Sequence, residues 1–98
     1  DTARYYANQS LTLSEQIGYT KGIGRAYNTM AVTYFVKSDY LPALEFYKKA
    51  LKNCEDSGNK MNAAATLNNI GIVYQYMGNY PEALQSYFAC LKTFEESF

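Results

Sequence analysis

The chain has 98 residues, of which nine are basic, nine acidic and 48% hydrophobic. That is enough apolar material for one folded domain and too much for a disordered segment. The cancelled charge excludes the basic footprint of a nucleic-acid binder, and no apolar run approaches the roughly 20 residues that cross a bilayer.

Taken in chain order, the first expected helix covers 1–17 and stops ahead of Gly18. A second is expected over 22–37, where Tyr27, Met30, Ala31 and Tyr34 recur at three- and four-residue spacing as an apolar stripe. Gly22 and Gly24 suggest a phosphate-cradling loop, but a third glycine is missing and a helix precedes them in place of a strand. They read instead as residues that loosen the turn into this helix. Ser38-Asp39-Tyr40 then breaks the pattern, with Asp39 as an N-cap and Pro42 in the first turn of a third helix over 41–56. Gly58-Asn59 ends that helix, and a fourth follows over 61–77 with Leu67, Ile70, Gly71 and Tyr74 as its stripe. Gly78 suits a left-handed helix end, Asn79 a cap and Pro81 the start of a fifth helix over 81–97.

These elements repeat. An offset of about forty residues places Asn28 on Asn68, Tyr34 on Tyr74, Tyr40 on Tyr80 and Tyr47 on Tyr87. It also places Ala43-Leu44 on Ala83-Leu84 and Leu51-Lys52 on Leu91-Lys92. One step earlier, Ala3, Leu11, Glu15 and Gly18 fall on Ala43, Leu51, Glu55 and Gly58. The fold class is therefore all-α, built from five helices in antiparallel hairpins. A single domain over 1–98 divides into the second helix of a preceding unit (1–20), one unit over 21–60 and another over 61–98. Small residues at matching places (Ala31 or Gly71, Ala43 or Ala83, Ala50 or Cys90) let the paired helices approach closely. Starting at Asp1 without a signal-like segment, the chain is expected to be a fragment of a longer array.

The spacing of Leu67, Ile70-Gly71, Tyr74, Gly78-Asn79-Tyr80, Ala83-Leu84, Tyr87 and Leu91 resembles the tetratricopeptide repeat signature almost residue for residue. Tyr27 through Leu51 fits as well, with Ala31 and Ser38 in place of glycines. The resemblance implies an α–α superhelix. The lengthened unit and phrases such as Leu67-Asn68-Asn69-Ile70-Gly71 resemble arrays in bacterial signalling proteins, among them sensor kinases and transcriptional regulators of the Bacteroides group.

Nothing in the sequence assembles an active site. There is no histidine to serve as general base or metal ligand, and two cysteines alone cannot complete a zinc site. No catalytic, cofactor or metal residue is therefore expected. Glu55-Asp56 and Glu95-Glu96 recur with the repeat, as solvated helix ends do. Cys54 and Cys90 occupy different places in their units, so a disulfide within the chain is not expected, and free thiols favour a cytoplasmic over a periplasmic setting.

The partner implied by the resemblance is a protein or peptide. In the family the first helix of each unit lines a concave groove. Carried onto this chain, that gives Arg25, Asn28, Thr29, Val32, Phe35 and Val36 from one unit. The next unit contributes Asn68, Asn69, Ile72, Gln75 and Tyr76, with Ala65 beside them. Aromatic and aliphatic members supply contact area, and the amides can pair with a peptide backbone. A competing structural reading gives Asn28 and Asn68 local bonds between helices and packs Phe35 onto the next unit. The basic clamp for a C-terminal carboxylate found in some relatives is not expected, because Arg25 is the one cation in the set. A second function, homo-oligomerisation through open repeat ends, is suggested by Phe88, Phe94 and Phe98. No membrane or nucleic-acid contact is expected from this segment.

Overall fold

The computed structural model describes residues 5, 7–9 and 20–96. Among them run four helices of 17 residues each: α1 (Thr20–Val36), α2 (Tyr40–Asp56), α3 (Lys60–Tyr76) and α4 (Tyr80–Glu96). Residues 5 and 7–9, within the first expected helix, are helical too. The rest of that helix, with Ala3, Leu11, Glu15 and Gly18, lies outside the described residues, as does Phe98. The fold is an all-α array of antiparallel hairpins, α1 with α2 and α3 with α4, joined by packing of α2 on α3.

Three-residue turns separate the helices, and all three close in the same way. The middle residue takes positive φ: 64° at Ser38, 73° at Gly58 and 79° at Gly78. The third residue sends its N–H back to the preceding helix, from Asp39 to the Tyr34 carbonyl, Asn59 to Cys54 and Asn79 to Tyr74, each at 2.9 Å. This is the Schellman closure, which satisfies carbonyls that a helix end otherwise leaves orphaned. The carbonyl of the same residue then accepts the first bond of the next helix, from Ala43, Ala63 or Ala83. The caps differ from the sequence expectation. Asp39 makes no side-chain cap bond, whereas Asn59 Oδ1 accepts from the Asn62 N–H at 3.1 Å.

The glycines at 22 and 24 do not loosen a turn, because α1 already begins at Thr20 and encloses both. Gly24 is instead a point of close approach. A Cβ there would stand 2.6 Å from Asn53 Oδ1 on α2. Gly71 plays the same part in the second hairpin, where a Cβ would stand 2.6 Å from the Tyr87 ring.

The core lies where the two hairpins meet. Ala31, Leu44, Tyr47, Ile70 and Val73 are buried together, and Phe35, Tyr40, Phe46, Leu51 and Tyr74 pack around them. Ala31, Ala43 and Ala50 have no exposed surface, which is what close approach at small residues requires. Cys90 departs from the expectation that it packs between helices: it is only half-buried, because α4 carries nothing on its outer side among the described residues. Both cysteines are free thiols.

Candidate peptide-binding groove

A cavity of about 260 Å³ opens between α1 and α3. Gly24, Arg25, Asn28 and Val32 line it from α1, and Asn62, Ala65, Thr66 and Asn69 from α3. Tyr47, Asn53 and Cys54 close it from α2, with Ser57 and Asn59 of the following turn. Arg25 is the one charged side chain in this lining, and five of the other residues are asparagines. The surroundings therefore offer amide donors and acceptors with a positive bias and no carboxylate.

Several of these polar groups are already committed. Asn59 Oδ1 holds the Asn62 N–H. The Thr66 hydroxyl donates to the Asn62 carbonyl at 2.8 Å, and the Ser57 hydroxyl to the Cys54 carbonyl at 3.1 Å. Asn28 Oδ1 is different: it is buried and has no hydrogen-bond partner. Burial pushes the Cys54 thiol above its ordinary range, a rise that its hydrogen bond with Thr66 offsets only in part. Burial likewise raises the Tyr47 phenol. Both are neutral at pH 7, so the cavity presents no reactive thiolate.

The structure brings Arg25, Asn28, Val32 and Asn69 of the sequence-derived set into this one cavity, together with Ala65. Phe35 and Tyr76 meet elsewhere on the same two helices, edge to face with centroids 5.1 Å apart, and Tyr40 joins them at 5.7 and 6.1 Å. Phe35 is thereby half-buried, packed on the next unit rather than freely exposed, while Tyr76 keeps 63% of its surface. Val36 is exposed beside them and Ile72 half-buried. Thr29 turns along its own helix, its hydroxyl donating to the Arg25 carbonyl at 3.0 Å. Gln75 belongs to its own hairpin, where Oε1 accepts from the Tyr87 hydroxyl at 2.7 Å. Asn68 is exposed outside the cavity, at the register of Asn28 one unit on. Sequence reasoning missed Asn53 and Asn59 because it drew the groove from first helices alone, and Asn62 and Thr66 because it took none of the first turn of α3 and not Thr66 beside Ala65. The run of asparagines at 53, 59 and 62 was the available signal.

Among the described residues no group of three or more His, Cys, Asp or Glu could hold a metal, and no helix is long and apolar enough to cross a membrane. The decisive comparison is with family models: that of the tetratricopeptide repeat matches residues 22–96. The chain belongs to the tetratricopeptide repeat family. It is also similar, at 35% identity over 71 residues, to an uncharacterized protein, ycf37, of Guillardia theta. That match covers 72% of this chain and 36% of the relative, so the chain spans little more than a third of the relative's length. Tetratricopeptide repeats mediate contacts with proteins or peptides.

Proposed function

We propose that this tetratricopeptide segment is a non-catalytic binding module of a larger regulatory or signalling protein, of the long-unit bacterial kind, and that it holds a peptide along α1 and α3. The observation that carries this reading is the cavity between those helices, where Arg25, Asn28, Val32 and Asn69 converge. Exposed Tyr76 and Val36 extend the surface toward the other end of the same helices. An extended peptide gains area from the aromatic end and backbone pairing from the amide end. Removing one residue from each end with Asn69→Ala and Tyr76→Ala together is expected to weaken a display-selected peptide by about 1–3 kcal/mol. Unchanged affinity in a double variant that keeps its helical circular dichroism contradicts the groove reading.

A second reading is favoured by α4, where Leu84 and Leu91 are each 55% exposed and Phe88 68%. These three residues form an apolar stripe at helical spacing, suited to self-association through the open end of the stack. Sedimentation over a range of concentrations separates the two. A strict monomer at all concentrations eliminates assembly through α4 for this chain.

A further inference from the structure

The geometry points to the chemistry of the partner at the aromatic end of the groove: a basic side chain of the peptide lies against Tyr40 and Tyr76 and pairs with the Asp39 carboxylate. This rests on the groove reading and gives its far end a specificity. A shallow depression of about 560 Å³ lies there. It is bounded by residues 38–42, which lead from α1 into α2, and by Tyr76 and Met77 at the end of α3.

Three features of the depression select a cation. The first is Asp39, exposed and the one charged residue in the lining. Its counterpart Asn59 uses its side chain in a cap bond, whereas Asp39 makes no such bond and no ion pair among the described residues. Lys37, two positions earlier, has a contact of its own and does not line the depression. The second is the ring cluster of Phe35, Tyr40 and Tyr76, with centroids 5.1 to 6.1 Å apart. Two of these rings line the depression, and the electron-rich faces of aromatic rings attract cations. The third is the helix ends. Here α1 and α3 finish and α2 begins, so two negative dipole ends meet one positive, and neither α1 nor α3 has a basic residue in its last turn.

An acidic guest would meet Asp39 as a like charge. An apolar guest would use the rings but strip water from a carboxylate left without a partner. A basic guest satisfies both. The opposite end of the groove repels it, because Arg25 is the one charged side chain lining the cavity there. The two ends thus carry opposite signs, and a basic residue fixes which way the peptide lies along α1 and α3.

The test uses peptides selected by display on this chain, with each lysine or arginine replaced in turn by methionine. One such replacement is expected to weaken binding about fivefold at low salt, the scale of an exposed ion pair together with a cation over a ring. Against Asp39→Asn the same replacement should cost no more than about twofold. Against Asp39→Lys, a glutamate at that position should outbind the original base. Neither change touches the backbone closure of the turn, and retained helical circular dichroism checks this. Selected peptides that are lost on Asn69→Ala with Tyr76→Ala, yet hold no base whose replacement matters, overturn the basic subsite and leave the groove standing. So does a loss on base replacement that Asp39→Asn leaves unchanged. If no peptide binds the chain, or if binding ignores the Asn69 and Tyr76 changes, the groove fails and the subsite falls with it.

Discussion

Leu44 on α2 and Leu84 on α4 stand one unit apart at the same register, yet the first is 8% exposed and the second 55%. Tyr47 and Tyr87 differ in the same sense, as do Ala50 and Cys90. The cause lies outside each hairpin. Helix α2 is held between α1 and α3, whereas α4 packs extensively on α3 alone among the described residues. What a second helix buries is therefore set by the next unit in the stack, as nearest-neighbour packing in repeat proteins requires. The small-residue contact is different, because Ala43 and Ala83 are buried in both hairpins.

The largest consequence is for truncations. Leu44→Ala should cost about 2–5 kcal/mol in urea unfolding, and Leu84→Ala less than about 1 kcal/mol. Equal losses would mean that the hairpin alone governs burial. Enlarging the small-residue contact should erase the difference: Ala43→Leu and Ala83→Leu should each cost roughly 1–3 kcal/mol, since both intrude on a contact internal to a hairpin. The turns sharpen the comparison further. Ser38 adopts the left-handed φ that glycine supplies in the other two turns. Ser38→Gly should stabilise the chain by about 0.5–1 kcal/mol, the relieved strain less the entropy that glycine loses on folding.

The smallest effect is on pH. Tyr47 and Cys54 have folded values raised above their ordinary 10.0 and 9.0 by burial, so they favour the folded state while neutral. Their contribution is present in full below the ordinary values and is lost as pH climbs through the raised ones. Stability should be flat from neutral to about pH 9 and then decline, and Tyr47→Phe should soften that decline relative to Tyr87→Phe.

The fold was legible in the residues because the same physical signals recur at one spacing. Apolar stripes marked the helices, and Gly78-Asn79 marked a turn that Gly58-Asn59 copies between units. The close approach at Gly24 was not legible, since it depends on Asn53 arriving from α2. The groove was legible only on one side. Helical register put Arg25, Asn28, Val32 and Asn69 on one face of α1 and α3, and the structure gathers them at one cavity, but nothing local showed that the last turn of α2 would close that cavity from behind. Gln75 was assigned to the groove by register, and a partner twelve positions along drew it into its own hairpin. Phe35, at the equivalent position, has no hydrogen-bonding group and packs on Tyr76 instead.

The central claim is that a visitor binds between α1 and α3 and not on the uncovered stripe of α4. Titrating the ¹⁵N-labelled chain with a display-selected peptide, read by amide chemical-shift changes, tests it most directly. The account predicts the largest changes at Arg25, Asn28, Val32 and Asn69. Changes concentrated at Leu84, Phe88 and Leu91, with α1 and α3 silent, would contradict it.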